Sequence, residues 1–393
     1  MDPAILEIVL KNKYRNERIL KILSVEDEIA VPTGQNFLSA IKRLRIKVVL
    51  GNGRVVNRSA IMKSSDVPSE AHNSFIKDTG VFKTETTMYV TVLNEMEYLL
   101  QEFDNAEDIP WSRLLYYEPY STMVFEDLKP LGFKSLLIPC YLDMEHALLV
   151  IRGLGLFHGL GKILDERGII KMDSFPSWYV FNKTPYRIWH SYLMEFASVM
   201  DKNWNPSWKP IVSKLKNLTV KDIEDKLEEI SKYSDQCNFK VINHGDCMVP
   251  NLMFKYDWKN HPFSMRFLDF QLSAFGTPCF DLSYFIYRSM KGTTIKENFQ
   301  EIMECYHSSL TRTLDKFNFM GVRPTLEELI EGMDRVSFLA NILFIVNYTP
   351  MTTSQGDFGD DIHKERIFSI FNRQESEEDF GPGMRDFANK HLS

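Results

Sequence analysis

Cysteine is scarce. The chain has five, Cys140, Cys237, Cys247, Cys279 and Cys305, and no CxxC pair among them. That excludes a disulfide framework and a thiolate zinc site, and it fits a reducing, cytoplasmic compartment. Long apolar runs are missing too: no stretch reaches the ~18 residues a membrane span needs. The start, Met1 to Leu10, carries Asp2 and Glu7 where a secretory leader would be basic, so no signal peptide is expected. Positive charge is in deficit, with 46 Lys and Arg against 53 Asp and Glu, a net of −7. A polyanion partner is therefore not expected. Neither nucleic acid nor membrane figures among the expected partners, and the oligomeric state is not readable, a monomer being compatible with everything present. A local basic cluster, Lys42, Arg43, Arg45 and Lys47, reads as the solvated side of a helix-to-strand segment. There are no internal repeats and no G-x-G-x-x-G loop.

What is present is a chain of 393 residues, longer than the roughly 250–300 over which one hydrophobic core grows. Apolar residues make up 44% and include 28 Phe and 16 Tyr, enough for sizeable cores. Residues 1–30 read as amphipathic helix, with Ile5, Leu6, Ile8 and Val9, then Ile19, Leu20, Ile22 and Leu23. Arg45–Leu50 and Val55–Lys63 flank Gly51-Asn52-Gly53, a hairpin signal in which both turn positions want positive φ. Thr84–Phe103 reads as a helix with Tyr89, Val92, Leu93, Met96 and Leu99 on one face, and Met123-Val124-Phe125 as a short buried strand. After Pro130 helical patterns dominate, over Leu142–Leu164, Trp189–Lys232, from Asp281 onward and over Glu327–Val346. Among them lie three β-like segments, Lys240–Asn243, Leu252–Tyr256 and Met265–Asp269. The expected fold is α+β and two-lobed, with an N-terminal lobe over residues 1–128, a mostly helical C-terminal lobe over 129–393, and a cleft between them.

The chemistry concentrates in His244-Gly245-Asp246-Cys247-Met248-Val249-Pro250-Asn251, followed by Leu268-Asp269-Phe270-Gln271. Phosphoryl transfer needs a group to orient and deprotonate the attacking hydroxyl, and oxygen ligands for Mg²⁺ on the phosphates. Asp246 can serve the hydroxyl; Asn251 and Asp269 can hold the metal. Protein kinases use the same spacing of loop Asp, Asn five residues on, and a later metal-binding Asp. His-Gly-Asp with an Asn at this distance arises by chance in roughly one chain of this length per thousand. The competing reading is a polar inter-strand loop in which Asp246 caps a turn. Upstream, Lys63 can meet the phosphates and Glu85 can hold that lysine. Taken singly, a strand-end lysine is usually just exposed, and a glutamate near a helix start just favours the dipole. Asp357-Phe358-Gly359 spells a kinase motif with no strand before it and reads as loop.

These residues resemble the ecdysteroid kinase-like family, a branch related to choline and aminoglycoside kinases, from about residue 30 to 350. The HGDxxxxN signature runs from His244 to Asn251, DFQ is Asp269-Phe270-Gln271, and Asp281-Leu282-Ser283-Tyr284 follows. Gly34-Gln35-Asn36-Phe37-Leu38-Ser39 is similar to the family's phosphate loop, Glu85 with Tyr89 to its E-x-x-x-Y helix, and Phe125-Glu126-Asp127-Leu128 to its inter-lobe linker. Leu156-Phe157-His158 resembles its Ala-x-x-His helix end, with Gly155 altering the start; His158 by itself reads as a core residue.

The resemblance implies a protein-kinase-like fold and an ATP- and Mg²⁺-dependent kinase acting on a small-molecule alcohol, a steroid or a xenobiotic. Asp246 would be the catalytic base, and Asn251 and Asp269 the metal ligands. Lys63 would contact phosphates, paired with Glu85. Gly34, Asn36 and Ser39 would meet the phosphates, and the backbone of Glu126, Asp127 and Leu128 the adenine. His244 and Asp281 would brace the loop. The chain departs from the family at Met248, where Trp is usual, and at Val249-Pro250, where a polar pair is usual; both bear on acceptor positioning and rate. No Lys stands two residues after Asp246, which favours a small-molecule acceptor over a protein. The aromatic-rich segment Trp178 to Trp189 suits either an acceptor pocket or core packing. The alternative function is a catalytically silent nucleotide- or ligand-binding module.

Overall fold

Alternation of apolar and charged residues builds the first sheet. In strand β2, Ala40–Leu50, residues Leu44, Ile46 and Val48 point inward while Arg43, Arg45 and Lys47 point out. The computed structural model describes residues 3–14, 18–30, 40–65, 80–102, 109–119, 121–136, 141–177, 186–348, 384–385 and 387–392. They fall into two compact units. One combines Met1–Ser135 with Met253–Gln271; the other combines Leu136–Leu252 with the chain from Leu272 onward. The first unit thus continues past residue 128 and takes back a stretch of the second half.

In the first unit, among the described residues of the segment read as helix, Pro3–Lys13 alone is helical (α1). Ile19–Ile29 is instead strand β1, antiparallel to β2. The three-residue spacing of its isoleucines comes from register shifts between Ile19 and Lys21 and between Ile22 and Ser24. A bulge adds a residue to the period of two, so Ile19 and Ile22 both pack on Leu44, Ile46 and Val48, together with Leu6 and Leu10 of α1. The sheet continues through β3 (Val55–Ser64), β5 (Thr122–Glu126) and β4 (Leu114–Glu118), in the order β1-β2-β3-β5-β4. The β2–β3 turn closes with Gly53 alone at positive φ, 81°, so it is wider than a two-residue hairpin. The basic cluster lies on β2 and is answered across the strand: Lys42 pairs with Asp27 at 2.7 Å and Arg45 with Glu28 at 2.9 Å.

Helix α2 runs Val81–Thr87, widens into a π turn at Met88–Val92 and finishes as Leu93–Gln101. Tyr89, Val92, Leu93, Met96 and Leu99 are all buried. A three-stranded sheet completes the unit, β6 (Phe133–Ser135), β8 (Leu252–Tyr256) and β9 (Pro262–Phe267) in the order β6-β8-β9.

The second unit is mostly helical: α3 (Met144–Glu166), α4 (Tyr186–Asn203), α5 (Lys209–Asn217), α6 (Val220–Gln236), α7 (Cys279–Ser289), α8 (Gly292–Lys316) and α9 (Leu326–Tyr348). Asp143 caps α3 by accepting from the His146 N–H at 3.0 Å. By length and mean hydropathy (1.5) α3 could cross a membrane, but 72% of that window is buried in the protein, as in a core helix. Gly155 accounts for the altered helix motif: a Cβ there would lie 2.7 Å from Cβ of Ser309, so the glycine lets α3 lie close against α8. Two short antiparallel strands, β7 (Val241–Asn243) and β10 (Ala274–Gly276), frame the segment that carries the chemistry.

Candidate active site

In the second unit, β7 delivers the chain into the loop at His244. Gly245 makes the loop possible. Its φ is 84°, and a Cβ would lie 1.9 Å from the carbonyl oxygen of Leu272. Asp281 on α7 fixes the same turn from beneath. Its carboxylate accepts the His244 N–H at 2.6 Å and the Gly245 N–H at 2.9 Å, and lies 3.1 Å from Nε2 of His158. The Nδ1 of His158 is 2.8 Å from the Tyr306 hydroxyl of α8. All these side chains are fully buried, so each polar atom needs its partner. Asp281 and His158 therefore hold backbone in place and do not face a substrate.

Asp246 emerges from this frame with both carboxylate oxygens engaged. Oδ2 accepts from Nδ2 of Asn251 at 2.9 Å, and Oδ1 accepts from the Tyr284 hydroxyl at 2.6 Å. Arg288 in turn donates from Nη1 to the Tyr284 oxygen at 2.5 Å. Val249–Asn251 forms a 3₁₀ turn with Pro250 near its start, where a missing N–H costs nothing and the preset φ helps. That turn carries Asn251 back to Asp246. Met248 is buried, with its sulfur 3.8 Å from the Tyr284 hydroxyl. Sequence reasoning quoted Tyr284 within a motif but gave it no role, and did not single out Arg288. Their signal was the spacing of Asp281, Tyr284 and Arg288 along one face of a helix, three and four residues apart.

In the first unit, Lys63 leaves β3 buried, between strand partners Ile41 and Met123. Its Nζ lies 2.6 Å from Oε2 of Glu85 and 2.8 Å from Oδ1 of Asp269. Burial alone would lower the lysine, but the Asp269 and Glu85 carboxylates outweigh it and hold the ammonium above its ordinary value. Burial pushes Glu85 up to about 7 against the pull of Lys63, with the Asp269 charge adding to the rise. Tyr89, one turn beyond Glu85, meets Phe125 edge-on at 4.7 Å and Phe270 at 5.5 Å, and shares a 3.0 Å hydrogen bond with Ser112. These contacts lock α2 to β5 and to the residue after Asp269, which itself has a φ of 66°.

The linker residues have prior commitments. Asp127 is buried, accepts from Nε of Arg43 at 2.8 Å and from the Lys129 N–H at 3.2 Å. Burial would raise its carboxyl, but Arg43 holds it below its ordinary value. The Glu126 side chain accepts from the Arg113 N–H at 3.0 Å, and Leu128 packs with Phe133 and Met253. Any adenine contact from this stretch is thus a matter of backbone, not side chain. Gly34, Asn36, Ser39, residues 178–185 and Asp357-Phe358-Gly359 lie outside the described residues.

Taken unit by unit, the residues suit a hard cation such as magnesium. One lysine between two carboxylates leaves buried Lys63 and Glu85 with half-buried Asp269 one negative charge in excess when all three ionise, an excess that a hard cation on Asp269 would answer. Asn251 spends its Nδ2 on Asp246 and keeps its amide oxygen as a hard ligand. Among the described residues no cluster of three or more His, Cys, Asp or Glu side chains offers a rival metal site.

Several solved structures are similar to the chain. The Plasmodium vivax ethanolamine kinase is 12% identical, with a TM-score of 0.41, covering 91% of this chain and 83% of its own. A macrolide 2′-phosphotransferase from Brachybacterium faecium is 11% identical at a TM-score of 0.40, covering 93% and 98%. A wild-type aminoglycoside 2′-phosphotransferase in complex with GDP is 10% identical at 0.37, covering 96% and 99%. No curated protein matches in sequence. The family match spans residues 33–319 and takes in every candidate residue from Gly34 to Asp269, so the chain belongs to the ecdysteroid kinase-like family.

Proposed function

We propose that the protein is an ATP- and Mg²⁺-dependent kinase that transfers the γ-phosphoryl group to the hydroxyl of a small molecule. The observation that carries this reading is Asp246, an acid on a braced loop with each carboxylate oxygen held by a different neighbour, Asn251 and Tyr284. Such a group can orient an alcohol without moving. As the alcohol oxygen bonds to the γ-phosphorus, the bond to the β–γ bridging oxygen breaks and ADP leaves. The hydroxyl proton passes to Asp246. Lys63, steadied by Glu85, contributes fixed positive charge to the phosphates, and Asn251 and Asp269 would hold magnesium. When bound, the metal neutralises charge on the phosphate oxygens.

The acceptor is proposed as an apolar alcohol, a steroid or xenobiotic. Val249-Pro250 follows Asp246 closely in the chain where the family usually has a polar pair, and the aromatic richness of the chain points the same way. The four cysteines among the described residues are all free thiols, in keeping with a cytoplasmic enzyme.

The test is ATP-dependent phosphorylation of a mixed alcohol library, read by mass spectrometry, with wild type and Asp246→Asn. One added phosphate on a library member, lost in the variant, is the expected result. Absence of both turnover and calorimetric MgATP binding in a folded protein would sink the proposal. MgATP binding without turnover across a broad library would favour the silent binding module.

A further inference from the structure

The β8–β9 hairpin of the first unit exposes at its tip what folded proteins usually hide. Trp258 is 88% exposed, and Phe263 and, on the neighbouring segment before β6, Leu131 are 53% and 44% exposed. The turn is nevertheless well made. The Asp257 N–H bonds to the His261 carbonyl at 3.0 Å, and the Asp257 carboxylate accepts the Lys259 and His261 N–H groups at 2.8 and 2.9 Å. Asn260 takes the left-handed conformation, φ 66°, that an asparagine tolerates. The exposure of Trp258 is therefore imposed by an ordered turn.

Charge on this element opposes that of the chain. Residues 129–135 and 253–267 carry five basic residues and one acid in a protein of net charge −7. Arg266 is buried, which leaves Lys129, Lys134, Lys255 and Lys259 toward solvent, and the one acid, Asp257, is spent on the turn. The lysines are interleaved with rings. Lys259 Nζ lies 4.9 Å from the Trp258 ring, Lys255 Nζ 5.8 Å from Phe263, and Lys134 Nζ 5.6 Å from Tyr256. Scattered exposed apolar residues need no explanation. An exposed Trp and Phe on one hairpin, set among lysines, do, because that combination suits the boundary between headgroups and acyl chains. Such docking needs no spanning helix.

We propose that this hairpin docks the protein on an anionic lipid surface, with Trp258 and Phe263 entering the interface and Lys134, Lys255 and Lys259 facing the headgroups. The occupant fits a bilayer better than a nucleic acid: the lysines flank an exposed Trp and Phe on one hairpin, and the single arginine, Arg266, is buried, where a groove tracking a nucleic-acid backbone would present arginines.

The experiment is co-sedimentation of the full-length protein with phosphatidylcholine vesicles, with and without phosphatidylserine, at low and high salt. Salt-sensitive binding only to the phosphatidylserine vesicles is expected. Lys255→Glu and Lys259→Glu should each weaken it at least fivefold, as the loss of one juxtamembrane lysine does. Trp258→Ser should weaken it about tenfold or more, and brominated lipid should quench wild-type tryptophan fluorescence more than that of the variant. Lys226→Glu, far along the chain on α6, should leave binding unchanged. Circular dichroism checks that each variant is folded. The proposal is overturned if folded wild type ignores the anionic vesicles, if the hairpin variants bind as wild type does, or if single-stranded DNA outcompetes the vesicles.

Discussion

At the scale of single residues, the question is what Tyr284 does for Asp246. A hydroxyl that receives a hydrogen bond from a guanidinium becomes a better donor, and Tyr284 is so placed, 2.5 Å from Nη1 of Arg288 and 2.6 Å from Oδ1 of Asp246. Tyr284→Phe keeps the ring and removes the link. Stability should change by about 1 kcal/mol, while kcat should fall tenfold or more with KM for ATP little altered. A variant with wild-type kcat would reduce Tyr284 to packing. The pairings of Asp246 with Asn251 and of Lys63 with Glu85 were legible in the sequence because phosphoryl transfer, the proposed reaction, asks for those residue types at that spacing. Tyr284 and Arg288 were not, since an aromatic and a cation on a helix acquire meaning only when the helix is laid against the loop.

At the scale of elements, three helices converge on one turn of backbone. Asp281 of α7, His158 of α3 and Tyr306 of α8 form a buried chain ending on the His244 and Gly245 amides. His158 was readable as a core residue; that it is also the link between α3 and the loop depends on tertiary contact. His158→Ala removes the middle of the chain and leaves Asp281 one partner short. It should cost about 2–4 kcal/mol in urea denaturation, and it should speed amide exchange at Gly245 more than elsewhere. Uniform exchange acceleration would argue for a general packing loss. The helices of the second unit declared themselves through long apolar periodicity. Strand β1 did not, because its bulges turn a period of two into the three-residue spacing of a helix.

At the scale of the whole molecule, pH is the global variable the structure speaks to. His391, near the end of the chain, packs beside Phe338 and Phe387 and lies 2.8 Å from the Ser337 hydroxyl. Burial pushes it down to about 4 from an ordinary 6.5, with Lys226 and Lys390 adding to the fall. A depressed histidine binds its proton more weakly folded than unfolded. Its contribution is therefore complete above pH 6.5 and is lost as the pH falls toward 4. Melting temperature should drop across that window, and His391→Gln should flatten the drop; equal slopes in the two proteins would show that other groups govern acid sensitivity.

The first unit is also discontinuous along the chain, since Met253–Gln271 belongs with Met1–Ser135. During synthesis from the N-terminus, Lys63 and Glu85 leave the ribosome long before Asp269, and the strands that complete the second sheet emerge only with it. The nascent chain must carry an unfinished unit while the helices from α3 to α6 are being made. A fragment cut after Ser135 would never recover the missing carboxylate, so residues 1–135 are no self-sufficient piece to express, and they become whole only once Gln271 has been made.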